Sequence, residues 1–294
     1  MTWLDRFTKW FACWLSCDID INPSIQISDF QRVQQAAQPG DVWLIEGRSR
    51  ISRVINLVTR SSWSHAALYV GSIDDIQDPS LRACIQKYYP YPSNEPLLIE
   101  SMIDQGVIAS PIRKYEHEHI RICRPKGLPA DDAWRVIMYS AQYLGCGYDT
   151  QHIFDLARFL FPWVILPRRW RSSLFSYKTG VLTKLSCSLL IAEAFASIRY
   201  PILPVIRLHQ ANTYEFIKRN PRLFTPRDFD HSPFFETIKY PIIEFTEHTP
   251  YTSICWNEEG LLSNDADGLV CHLKPNEIIS PLFIKSENKN QDNT

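Results

Sequence analysis

A cysteine, a histidine and a carboxylate stand in this chain where each could take part in acyl chemistry. Cys187 lies in the stretch Lys184–Phe195, where a polar, turn-like run ending at Thr183 gives way to an apolar helical pattern. Leu190, Ile191 and Ala194 recur at helical spacing, which places Cys187 at the start of a helix. A thiol in a first helical turn feels the positive end of the helix dipole and unpaired backbone N–H groups, and both favour the thiolate, the nucleophilic form. Free cysteine is also ordinary core material, so the reading requires a base and a group that orients it. His65 stands at the mouth of the short apolar run Ala67–Val70, which Gly71 closes. Glu100 follows Pro96–Ile99, a carboxylate that the apolar run does not explain. Tyr69 and Tyr148 are further candidates for a cleft.

These side chains need a scaffold, and the hydrophobic pattern supplies one. Pro39-Gly40-Asp41 is a turn that launches a strand over Val42–Glu46, followed by a helical pattern from Ile51 to Val58. The runs around His65 and Glu100, Gly106–Ile108 and His119–Arg124 read as further strands, with Ile120 and Ile122 inward. Asp131 or Asp132 can cap a helix through Leu144, with Trp134, Ile137 and Ala141 on one face. The region 200–240 is rich in loops, and Ile238–Phe245, Leu269–Leu273 and Leu282–Ile284 are strand-like. The fold class expected is α+β: an antiparallel sheet carrying His65 and Glu100, packed on a helix that carries Cys187.

Bulk properties exclude several functions. The chain has 294 residues, 45% hydrophobic and 21% charged, with a formal net charge of -1. That balance suits a globular protein and offers no basic field for nucleic acid. Eight cysteines show no CxxC pair, so neither a zinc site nor a disulfide framework is expected, and a reducing compartment is the default. His117 and His119 are close in sequence but read as alternating strand residues without a cysteine pair beside them. No cofactor is expected.

Two segments point to a surface rather than a core. In residues 1–20, Trp3, Phe7, Phe11 and Trp14 share one helical face, while Asp5, Arg6 and Lys9 interrupt the apolar run. The segment is too short and charged to span a bilayer, and Lys9 spoils it as a signal peptide. It suits an interfacial amphipathic helix, or one docked on the protein's own surface. The apolar run in 159–171 ends in Arg168, Arg169 and Arg171 around Trp170, which fits either an anionic lipid surface or a buried helix with a solvated basic turn. The expected organisation is an amphipathic helix at 1–20, a catalytic domain at 37–240, a packed extension at 241–284 and a disordered tail at 285–294. The expected location is cytoplasmic, with peripheral contact at the inner face of the membrane through 1–20 and 159–171.

Taken together, Gly40-Asp41-Val42, Ser64-His65-Ala66-Ala67-Leu68-Tyr69-Val70-Gly71, Leu98-Ile99-Glu100-Ser101, Gly145-Cys146-Gly147-Tyr148-Asp149, Ser186-Cys187-Ser188-Leu189-Leu190 and Thr225-Pro226-Arg227-Asp228-Phe229 with Ser232-Pro233 make a pattern. In order and spacing it resembles the YiiX/YebB-like family of circularly permuted papain-like (NlpC-type) cysteine hydrolases, which are distantly similar to lecithin:retinol acyltransferase. The resemblance implies a permuted papain-like fold and a Cys187–His65–Glu100 site acting on an amide or ester, in a peptide-like or lipid substrate. Two departures stand out. The stretch between Tyr148 and Cys187 is long, and Ser188-Leu189-Leu190 follow the cysteine where the family commonly has a carboxylate, Glu193 coming later.

In that arrangement Cys187 would attack an acyl carbon, His65 would hold and return the proton, and Glu100 would fix the imidazole. Water reacting with the thioester gives a hydrolase; an amine or hydroxyl acceptor gives an acyltransferase. The competing class is a catalytically inactive papain-like module for binding or membrane docking, in which Cys187 would be slow and buried.

Overall fold

The computed structural model describes residues 28–103, 105–148, 184–208 and 213–242, together with the backbone of 261–263 and 270–272. The segments 1–20, 159–171 and 285–294, and most of 241–284, lie outside the described residues. The chain divides into two compact units, residues 1–244 and 245–294. In the second, Leu261–Ser263 and Val270–His272 pair antiparallel.

The first unit is built on a six-stranded antiparallel sheet. Its strands are β1 (Val42–Glu46), β2 (His65–Gly71), β3 (Leu97–Met102), β4 (Gly106–Pro111), β5 (His119–Pro125) and β6 (Phe235–Ile238). Their spatial order is β6-β5-β1-β2-β3-β4. β1 starts where the sequence turn demands it. Gly40 takes φ +92°, its N–H reaches the Tyr69 carbonyl, and Asp41 accepts the Gln38 N–H and the Arg124 guanidinium. Glu100 lies within β3 rather than at its end.

Period-two alternation sends the sheet's two faces into two cores. Leu44, Leu68 and Ile99 meet one core, which also holds Phe195; Trp43, Ile45, Tyr69 and Leu98 meet the other. Helix α1 (Phe30–Ala36) covers the second face through Val33 and is capped by the Asp29 carboxylate. Helix α2 (Arg50–Thr59) links β1 to β2, and α3 (Pro79–Gln86) precedes β3. The first face carries α4 (Ala130–Ala141) and α5 (Cys187–Ser197), which pack on each other.

The α5 sequence explains its place. Every residue from Cys187 to Phe195 is buried, and all but Ser188 and Glu193 are apolar, so this helix is suited to an interior. In α4 the expected aspartate cap is not used: Pro129 precedes the helix, and Asp131 and Asp132 sit in its first turn, where they complement the dipole. Its buried stripe is Ala133, Val136, Ile137, Ser140 and Ala141, with Trp134 on the flank.

Between 200 and 242 the loop-rich reading gives way to definite elements. Two short strands, Val205–Leu208 and Tyr214–Ile217, pair with each other. Helix α6 (Pro226–Asp230) carries a capping box between Thr225 and Asp228. β6 ends at Ile238, short of the strand-like run expected to Phe245.

The β3–β4 hairpin that holds Glu100 turns at Gly106, where φ is +77° and an added Cβ would lie 2.1 Å from the Cys146 carbonyl oxygen. That oxygen accepts the Val107 N–H at 2.8 Å. Gly106→Ala is therefore expected to destabilise by about 3 kcal/mol and to lower Tm by roughly 10 °C. A thermal melt followed by circular dichroism checks this, and an unchanged Tm refutes it.

Candidate active site

His65 is the first residue of β2, directly opposite Ile45 of β1. The preceding Ser64 locks this corner: its hydroxyl accepts the Gly47 N–H at 2.9 Å and donates to the Ile45 carbonyl at 3.3 Å. Leu68 of β2 faces Ile99 of β3. His65 and Glu100 are therefore diagonal cross-strand neighbours on one face, within reach of long side chains. The His65 Nε2 and Glu100 Oε2 are 2.6 Å apart.

Glu100 is fully buried and has no solvent to stabilise its charge. The protein supplies the donors instead. Ser110 Oγ donates to Oε1 at 2.5 Å and Lys114 Nζ to the same oxygen at 2.8 Å, while the Tyr115 hydroxyl donates to Oε2. Burial alone would raise this carboxyl's pKa, but the His65 hydrogen bond and the Lys114 ammonium prevail and hold it well below the usual carboxylate range. Burial and the adjacent Glu100 charge push the Tyr115 phenol far up, so it remains a protonated donor.

Cys187 opens α5 and is 7% exposed. Its sulfur lies 3.8 Å from the Ser188 hydroxyl and hydrogen-bonds His65 and the Ala66 N–H. Since Nε2 of His65 holds Glu100, Nδ1 is the ring atom left for the thiol. Burial opposes a charged sulfur, yet the hydrogen bonds and charge of His65 outweigh it, and the thiol's pKa is lowered. Burial likewise opposes a charged imidazole, but Cys187 and Glu100 together pull His65 up to about 9. The two shifts run toward a thiolate–imidazolium pair. Cys123, buried in the core without such partners, is pushed strongly upward. Ser186, the N-cap of α5, makes no side-chain cap, so the first-turn N–H groups are not taken up by its hydroxyl.

His65 and Cys187 border a cleft of about 270 Å³, whose walls also include Arg48, Ser101, Met102, Lys114, Tyr115 and Glu118, while Glu100 is buried and does not line it. A larger, mostly apolar cavity of about 420 Å³ beside the C-terminal half of α5 contains none of the three.

Of the residues singled out in the sequence, the structure brings Cys187, His65 and Glu100 together. Tyr69 does not join them: it is stacked on Trp43 at 5.6 Å in the second core and does not line the cleft. It shares the face of His65, but four residues along the strand carry it into the sheet's interior. Tyr148 pairs through its backbone with Leu185, and its side chain lies outside the described ones. Glu193 is buried and faces Lys218 at 4.0 Å, away from the cleft. His119 contacts Glu46 at 2.8 Å and Trp63, and no group of three His, Cys, Asp or Glu among the described residues could hold a metal ion.

Sequence reasoning missed Ser110, Lys114 and Tyr115. The hairpin register carried a signal for the first: Glu100 faces Ile108, so Ser110 is its diagonal neighbour. Lys114 and Tyr115 lie in a single 3₁₀ turn, Ile112–Tyr115, and no period-based pattern marks a turn that folds back over a strand. The Thr225–Pro233 segment also acquires a role. Asp230 accepts two hydrogen bonds from Arg121 and one from the Trp63 indole, tying α6 to the strand and loop beside His65.

Residues 36–159 match the model of a family described as permuted papain-like amidase enzymes, YaeF/YiiX, the C92 family. The match includes His65 and Glu100; Cys187 lies beyond it. Among solved structures, the crystal structure of the metalloprotein yiiX from Escherichia coli O157:H7 is similar, with 16% identity and a TM-score of 0.42, over 69% of this chain and 97% of that one. No curated protein matches the chain.

Proposed function

We infer, from a chain that over residues 36–159 matches the model of the permuted papain-like amidases of the C92 family, that this protein is a cysteine hydrolase in which Cys187, His65 and Glu100 form the catalytic site. The observation that carries the assignment is the position of His65, hydrogen-bonded to Glu100 on one ring nitrogen and to Cys187 through the other.

The thiolate attacks the carbonyl carbon of an amide or ester, forming a C–S bond and placing negative charge on the oxygen. N–H groups at the start of α5, which the Ser186 hydroxyl does not cap, would receive that charge. The His65 imidazolium gives its proton to the leaving nitrogen or oxygen, and the C–N or C–O bond breaks to leave a thioester. Neutral His65 then takes a proton from water, which attacks the thioester and releases the acid. Glu100 keeps the ring oriented and its charge balanced throughout.

The substrate half of the proposal rests on sequence. The aromatic face of residues 1–20 and the apolar, arginine-flanked 159–171 favour an acyl group presented at a membrane. With cysteines that form no CxxC pair or disulfide pattern, the reading is of a cytoplasmic protein in peripheral contact with the inner face of the membrane.

Activated aryl esters of increasing acyl length provide the test. The wild type is expected to release a burst of phenol stoichiometric with enzyme, and intact-mass spectrometry to find the acyl adduct on Cys187. Cys187→Ala is expected to lose both, with turnover down by about 10³-fold or more. A burst of equal size in Cys187→Ala would sink the assignment. Binding of the wild type to anionic vesicles that is lost on deleting residues 1–20 supports the membrane part, and equal binding by the two proteins removes it.

A further inference from the structure

Glu100 is more heavily tethered than orientation of a histidine requires. An ionised carboxylate offers about four lone-pair positions. Here two donors reach each oxygen: Ser110 and Lys114 on Oε1, His65 and Tyr115 on Oε2. Ser110 and Tyr115 are neutral donors that fix the plane of the group. Lys114 differs, because it brings a full positive charge onto the same carboxylate that must stabilise the His65 imidazolium. Two cations therefore compete for one buried anion.

We propose that Lys114 is a positioning residue that pins Glu100 against His65 and, by sharing the carboxylate's charge, limits how strongly the imidazolium is held. This rests on the Cys187–His65–Glu100 reading of the site. The groups around the carboxylate come from four elements: His65 from β2, Ser110 from β4, Lys114 and Tyr115 from the 3₁₀ turn, and Cys187 from α5, with Arg48 and Glu118 further along the cleft wall. Lys114 is one-third exposed and lines the cleft, whereas Glu100 has no exposure. The ammonium thus lies between the buried anion and the solvent.

The charge logic fixes a sign. Removing the ammonium leaves the Glu100 charge to His65 alone, so the imidazolium persists to higher pH. The thiolate is held by His65, the Ala66 N–H and the Ser188 hydroxyl, so its own acid-side midpoint stays in place. A residue that merely filled space would move neither midpoint.

The experiment uses the full chain and two alkylating probes. Iodoacetamide reports the thiolate. Iodoacetate reports the thiolate and is also drawn by the neighbouring imidazolium, so the ratio of the two rates falls when His65 loses its proton. The fall is expected near pH 9 in the wild type. In Lys114→Met it is expected to move up by about one pH unit, a modest value for a charge whose bearer is partly solvated. Lys114→Arg, which keeps the charge, is expected to restore the wild-type midpoint. Circular dichroism melts establish that each variant is folded. A midpoint unmoved in folded Lys114→Met overturns the proposal and leaves the catalytic trio standing. A wild type whose Cys187 shows no enhanced labelling at pH 6 overturns both.

Discussion

At pH 6, iodoacetamide is expected to label Cys187 about a hundred-fold faster than an ordinary thiol, and His65→Ala to abolish that advantage. A free thiol near pKa 8.5 is only about 0.3% thiolate at pH 6, whereas a sulfur paired with an imidazolium is mostly ionised, and the lower basicity of such a sulfur gives back part of the gain. The structure provides the pair: burial raises the cost of charge on Cys187, and the hydrogen bond and charge of His65 more than offset it. His65→Ala removes that compensation and keeps the burial, so the thiol should rise above an ordinary one rather than return to it. Cys84 and Cys146, half-buried and free, are internal standards, and Cys123 should be slower than either. Peptide mass spectrometry reads every cysteine in one sample. Labelling of Cys187 at the rate of Cys84 in the wild type would leave the chain as a fold without the chemistry.

The chemistry was legible in the sequence to the extent that its carriers interrupt a pattern. Cys187 sits where polar residues give way to an apolar helix, His65 where an apolar strand begins, and Glu100 is a charge inside a strand whose other residues seek a core. Alternation also foretold the sheet, and the buried, largely apolar α5 made a surface role for Cys187 implausible. What stayed hidden depended on three-dimensional folding back. Tyr69 and His65 share a strand face, and only the placement of Trp43 on β1 shows that one ends in the core and the other at the cleft. Lys114 and Tyr115 reach Glu100 because a turn after β4 crosses the strand, a geometry that residue spacing does not encode. The Asp230 clasp on Arg121 and Trp63 joins residues more than a hundred positions apart, and its sequence trace was only a turn motif.

Glu100→Gln is expected to cost about 3 kcal/mol of stability, lowering Tm by roughly 10 °C, and to cut the labelling advantage of Cys187 at pH 6 by tenfold or more. The swap is nearly isosteric, yet the amide brings its own N–H donors to a site already crowded with donors and carries no charge for His65 or Lys114. A second cation-bearing group then lies beside an uncompensated imidazolium, so His65 should fall from about 9 toward or below its ordinary 6.5. The pH dependence of stability supplies an independent sign. In the wild type the His65 pKa is raised above its unfolded value, so its contribution is fully present below about pH 6.5 and is lost as pH rises through about 9. Glu100, whose pKa is depressed, contributes above its unfolded value of about 4.5, and that contribution is lost as pH falls. Cys187, whose pKa is lowered, contributes with the opposite sign until pH passes the ordinary thiol value of about 8.5, and up to there it offsets the His65 loss. Wild-type stability should therefore rise from acid pH to about 6.5, hold to about pH 8.5 and decline as pH passes 9, whereas Glu100→Gln should lose most of that decline. Urea titrations at about pH 8 and pH 10 measure the difference. A variant as stable as wild type at the lower pH, with the same decline to the higher, would show that Glu100 does not hold the His65 charge, and the role of Lys114 would fall with it.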